Sequence, residues 1–272
     1  MGNLLYVPHT KNIITASYKF NFNTFFKIRV ICTCLLVCLI IWNCIIHPDE
    51  FYRFFTLWGL MLTTIYYILL LISYLMGRNY TKTEYEALQA QNHFKYNQLL
   101  VVLFQTVWAA EFVITSVFWC ILLPVLGVYS HNNPDYNHSV TTMDLVFDAF
   151  VHSIPFISLV LDLLLTSIVF TPAQIAWPYI LGGCFAVMDC CIVLTGHPPA
   201  YPVVMTWKSY LTAITLVGFA LLLSLGFYAG YRATLKNAVT KDDLMVDYFL
   251  IPDKNTKLDD TSNSTINWFE LS

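Results

Sequence analysis

Six apolar runs, each about as long as a bilayer core is thick, constrain this chain more than any other feature. They are Ile28–Ile46, Phe54–Met76, Leu99–Val128, Leu145–Phe170, Ile175–Thr195 and Ser209–Tyr231. About 20 mostly apolar residues in a helix cross the hydrocarbon region. Charged residues make up 11% of the sequence and mean hydropathy is +0.61, against about 25% charge in a soluble domain. The chain lacks the polar surface to face water all round. The expectation is an all-α, polytopic membrane protein with six transmembrane helices in one bundle over 28–231. A polar N-terminal segment (1–27) precedes it and a polar tail (232–272) follows.

The third run is long and contains Pro124, so it is expected to tilt, kink or end early. The Thr171-Pro172-Ala173-Gln174 stretch joins the fourth and fifth runs by a tight turn, which predicts antiparallel neighbours. No internal repeat is visible.

Basic residues set the orientation. Lys11, Lys19, Lys27 and Arg29 precede the first span; Arg78, Lys82 and Lys95 lie between the second and third; Arg232, Lys236, Lys241, Lys254 and Lys257 follow the sixth. Only Arg53 and Lys208 fall on the other side. The positive-inside rule then puts both termini in the cytoplasm, or in the matrix if the membrane is mitochondrial. The first span reads as an anchor rather than a removed signal, because it starts late and lacks a small-residue cleavage site. Endomembrane and mitochondrial inner membrane both stay open. Tyr6 stands where a myristoylation signal needs Ser or Thr. The sequon at Asn137 falls outside, but those at Asn79 and Asn263 fall inside, so they carry no information. A net charge of −3 provides no global basic field for nucleic acid.

Charge within a span is costly and normally faces a cavity or a partner. Glu111, Asp148, Asp162 and Asp189 lie within these spans, with His152 beside them. At about 100° per residue, Asp148, His152 and Asp162 share an arc of roughly 80° on the fourth helix. Thr56 and His152 fall near the outer ends of the second and fourth spans. Asp148 is shallower, Asp189 also lies toward the outer side, and Glu111 is near mid-depth. Asp162 alone belongs to the inner half. A hydroxyl, an imidazole and carboxylates at similar depth describe a polar pocket opening toward the outer leaflet.

Each residue also has a purely structural reading. Thr56 can bond back to a carbonyl of its own helix, and His152 can pack as a satisfied histidine against Asp148 one turn away. Asp148 and Asp189 can lie at the water interface, and Glu111 and Asp162 can pair with tyrosine hydroxyls or serve a helix contact. The eight cysteines lie in or beside apolar runs without metal spacing and read as small hydrophobes. His152 alone is well inside, while His47, His93, His131, His138 and His197 belong to boundaries or loops. Neither haem, zinc nor any other cofactor is expected. A phosphate loop, a G-x-S-x-G elbow and H-E-x-x-H are all missing. Pro155 and Pro178 interrupt spans, but no inverted repeat supports a transporter.

Three segments together resemble a known family. They are Phe55-Thr56-Leu57-Trp58-Gly59-Leu60; His152-Ser153-Ile154-Pro155-Phe156 with Leu161-Asp162-Leu163-Leu164-Leu165; and Trp177-Pro178-Tyr179 with Thr195-Gly196-His197 and Tyr201-Pro202-Val203. Their order is similar to that of the androgen-induced-protein family of six-helix membrane proteins, nearest in pattern to its rolling-stone branch, over roughly 51–231. The family includes intramembrane threonine hydrolases of fatty acid esters of hydroxy fatty acids. The resemblance therefore implies Thr56 as nucleophile and His152 as its catalytic partner. That chemistry suits the residues, since threonine needs a base to take its proton and imidazole serves near neutral pH. Asp148 is placed to orient His152. Gly59 and Pro155 match the rolling-stone pattern or neither branch, where the hydrolases tend to carry polar residues.

The expected function is a lipid-ester hydrolase with membrane lipids as partners. The rival is a non-catalytic accessory subunit of a large membrane assembly, such as a mitochondrial respiratory complex, held by other membrane subunits through both termini. Its anchors would be Trp268, Phe269 and the run Met245–Pro252. A lipid or sterol binder without turnover is a third reading.

Overall fold

The computed structural model describes residues 22–46, 53–78, 94–124, 142–166, 168, 170–201, 205, 207 and 210–244. Residues 1–21 of the N-terminal segment, the tail anchors beyond 244, the sequons and His47, His93, His131 and His138 lie outside the described residues, while 22–27, expected to precede the first span, already belong to its helix. Six long helices result: α1 (Phe22–Ile46), α2 (Phe55–Arg78), α3 (Phe94–Val117), α4 (Thr142–Leu165), α5 (Ala176–Leu194) and α6 (Tyr210–Leu244). A π-helical turn over Phe118–Leu122 extends α3, and a 3-10 turn at Pro172–Ile175 leads into α5. Among the described residues there is no strand. All six helices are long and apolar enough to cross a membrane, so the chain is a multi-pass helical bundle. α6 runs on past Tyr231, the end of the apolar run, to Leu244.

α3 is the axis of the bundle. In its most apolar stretch 72% of residues are buried, against 22% for α5 and for α6. It packs against α2, α4, α5 and α6, while α1 lies outside against α2 and α4. The contact with α6 is close because Gly226 and Gly230 form a small-xxx-small face. A Cβ on Gly226 would come within 2.8 Å of the Phe112 ring, and one on Gly230 would collide with Phe170. The indole of Trp108 donates to the Gly226 carbonyl at 2.9 Å across the same contact.

The expected adjacency of the fourth and fifth helices is corrected. α4 stops at Leu165 instead of continuing to Phe170. Thr166 closes it, its amide and hydroxyl both donating to the Asp162 carbonyl. Phe170 then turns inward, 1% exposed, with its ring among Phe104, Trp108 and Phe227. The chain thus passes beneath α3 and α6, and α5 packs on these two rather than along α4.

Two prolines are absorbed within helices. Pro124 has no N–H for the Cys120 carbonyl and its ring crowds that oxygen. The preceding turn widens, so that the Leu123 amide reaches back five residues to the Phe118 carbonyl. Pro155 lies inside α4 and leaves the Val151 carbonyl without its usual donor.

Candidate active site

Thr56 differs from several threonines of the bundle because of where its helix begins. Thr33, Thr64, Thr106, Thr166 and Thr234 each bond back to the carbonyl one turn earlier. α2 opens on the Phe54 carbonyl, which receives the amides of Leu57 and Trp58. Thr56 is in the first turn and has no helical carbonyl behind it. Its hydroxyl instead lies 3.2 Å from Nε2 of His152 on α4. The two residues that the resemblance implies are thus in contact, although they are 96 positions apart in the chain.

The other ring nitrogen defines the direction of that bond. Nδ1 of His152 lies 2.7 Å from the Asp148 main-chain carbonyl. A carbonyl oxygen only accepts, so Nδ1 carries the proton. Nε2 then presents its lone pair, and the Thr56 hydroxyl donates to it, which is the arrangement of a nucleophile and a general base. Asp148 meets the His152 ring through its main-chain carbonyl one turn away. α3 fixes the imidazole from the other side: Phe118 stacks on it at 4.0 Å and 12°, and the Thr115 hydroxyl donates to the His152 carbonyl at 2.6 Å. Phe118 is the first residue of the π-turn, a feature that frequently marks functional sites. Thr56 is buried and His152 half-buried.

The remaining acids divide among three tasks. Glu111 is fully buried one turn below Thr115 and accepts from the Thr63 hydroxyl at 3.3 Å, while its Oε2 has no hydrogen-bond partner. Gly59, one turn below Thr56, makes room for it. A Cβ there would lie 2.5 Å from Oε1 of Glu111 and 2.5 Å from Ile114.

Asp162 is near the C-terminal end of α4 and faces Arg29 of α1, whose Nη2 and Nε approach Oδ1 at 2.8 and 2.9 Å. Tyr66 donates to Oδ2 at 2.5 Å. The tyrosine partner was expected and the arginine was not: Arg29, counted above as a flanking basic residue, is 4% exposed inside the bundle. The guanidinium also sits over the Phe25 ring at 4.1 Å.

Asp189 does not lie at a water interface but is fully buried, and it ties down the segment after α5. Its oxygens accept the Ala200 amide at 2.7 Å and the Trp207 indole N–H at 2.6 Å. Arg53 adds a bond to the Pro198 carbonyl at 2.9 Å. The segment held this way seats the phenol ring of Tyr201 edge-on to Phe54, beside the start of α2, and against Phe185. Burial pushes that phenol above its ordinary pKa. Tyr201 was visible only as part of a motif without a role, and Phe118 carried no sequence signal.

One apolar groove of about 330 Å³ opens between α1 and α4, bordered by Ile31, Leu35, Ile157 and Leu161. It is on the side of α4 turned away from His152 and does not adjoin the Thr56–His152 pair. No family model matches the chain, and no curated protein or solved structure matches it either.

Proposed function

We propose that the chain is an intramembrane hydrolase that cleaves a lipid ester through Thr56 and His152. The observation that carries this reading is the 3.2 Å contact between Thr56 Oγ1 and His152 Nε2, with Nδ1 committed to a carbonyl. The resemblance to the androgen-induced-protein family supports it. In the reaction, Thr56 Oγ attacks the ester carbonyl carbon while its proton passes to Nε2. The carbonyl π pair moves onto oxygen and an oxyanion forms. Collapse of that intermediate expels the alcohol, which takes the proton from Nε2, and leaves an acyl-threonine. Water then adds to the acyl carbon with His152 again as base, and the fatty acid leaves as Thr56 regains its proton. A substrate with two acyl chains suits a site reached from the outer leaflet, with both termini on the opposite, cytoplasmic or matrix side.

A second reading is a non-catalytic subunit of a membrane assembly. The feature that favours it is the extension of α6 to Leu244, a helix continuing beyond the apolar run where a partner can dock. Turnover separates the two. Purified protein with a branched fatty acid ester is expected to lose activity at least about a thousandfold on Thr56→Ala or His152→Ala, as for members of a nucleophile–base pair. Equal turnover in wild type and both variants contradicts the mechanism.

A further inference from the structure

We propose that the groove between α1 and α4 binds a single anionic glycerophospholipid, with one acyl chain in the groove and the headgroup at Lys27. α1 and α4 are pinned to each other at two levels and stand apart between them. Toward the start of α1 the Arg29 guanidinium lies 2.8 Å from the Asp162 carboxylate. Toward its end the rings of Trp42 and Phe147 stack at 4.7 Å. The groove runs from the level of the ion pair toward the stacked rings, over 28–35 of α1 and 154–161 of α4, about 10 Å at the rise of a helix. Its volume of about 330 Å³ spread over that length leaves a cross-section of about 30 Å², room for one extended hydrocarbon chain. The site is on the face of α4 turned away from His152 and is independent of the hydrolase reading.

The walls select the tail. Ile31, Leu35, Ile157 and Leu161 are exposed and form the rims, while Cys32 and Ser158 are buried and form the floor. Both floor residues are small, and the Ser158 carbonyl is tied to α2 by the Tyr67 hydroxyl at 2.6 Å. The contacts at the two pinned levels keep the helices from closing on the gap, and atoms lining an empty gap forfeit their dispersion contacts. In a bilayer the filler of matching shape and polarity is a lipid tail. The headgroup is selected where α1 begins. Lys27 is exposed, stands one turn before Ile31, and makes no ion pair among the described residues. Asp162, the acid at that level, is taken by Arg29 and Tyr66. A lysine stem lies readily along an apolar rim and carries its ammonium to the headgroup layer, where a headgroup of net negative charge is the matching partner.

The test uses full-length, detergent-purified protein and phosphatidylglycerol carrying a diazirine in one acyl chain. After irradiation and digestion, adducts should concentrate on peptides spanning 28–35 and 154–161 and saturate at a single lipid per protein. Unlabelled phosphatidylglycerol should compete about fivefold better than phosphatidylcholine, the ratio that one basic residue at an anionic headgroup supplies. Lys27→Gln should remove that preference and leave the crosslinks in place. Ile157→Trp, on an exposed rim, should fill the groove and remove them, whereas Leu221→Trp, exposed on α6, should not. Wild-type adducts spread evenly over the exposed faces of α5 and α6, or rising without saturation, overturn the site. Crosslinks that persist in Ile157→Trp do the same. Equal competition by the two lipids in wild type overturns the anionic headgroup. The wild-type pattern decides the point even where a variant fails to fold.

Discussion

Arg29 and Asp162 meet where neither charge can reach water, and each exists there only because of the other. Two close contacts from the guanidinium, a hydrogen bond from Tyr66 and the Phe25 face beneath the cation complete the arrangement. Removing one member of a buried pair strands the other and costs about 3–5 kcal/mol. Asp162→Ala should therefore lower thermal stability in detergent strongly, and the double change with Arg29→Met should recover much of the loss. A double variant no more stable than Asp162→Ala would mean the pair is not the reason. The tyrosine partner of Asp162 was legible, because buried carboxylates seek hydroxyls and the bundle is rich in tyrosine. Arg29 was not, because a basic residue at the edge of an apolar run looks the same whether it flanks the membrane or turns inward. Their depth in the spans put Thr56 and His152 in one polar cluster, and the resemblance alone implied their catalytic roles. The physical reason they meet, a threonine in a first turn with no carbonyl behind it, needs the helix start at Phe55.

At the scale of elements, the number of helices was readable from apolar runs and their neighbours were not. The tight turn at Thr171–Gln174 argued for adjacent fourth and fifth helices only while α4 was taken to reach Phe170. The inward turn of Phe170 depends on the space left by Gly230 of α6, which no local pattern in the fourth run announces. The same α3–α6 contact makes a prediction. Gly226→Ala must displace Phe112 and should cost about 1–3 kcal/mol, as overpacking does. Gly218, on the same helix, has open space where a Cβ would stand, with nothing within 4 Å, so Gly218→Ala should leave the thermal midpoint unchanged or raise it. Equal effects at the two glycines would argue against a close α3–α6 seam.

For the whole molecule, the polar residues inside the bundle separate into three devices at different depths. An ion pair ties α1 to α4 at the end of the bundle where α1 begins, Glu111 fills the gap opposite Gly59 near the middle, and Thr56 with His152 lies at the end where α2 begins. Asp189 holds the segment whose Tyr201 ring packs on Phe54 at the start of α2. Reading depth from the sequence grouped Thr56, His152, Asp148 and Asp189 together, but could not tell the acid that orients a loop from an acid that serves chemistry. The proposed function depends on one of the three devices, and a covalent probe reports on it directly. Full-length protein treated with an alkyl fluorophosphonate and digested for mass spectrometry should carry the adduct on Thr56, and the adduct should disappear in His152→Ala. An unlabelled Thr56, or labelling that persists undiminished without His152, would contradict the account.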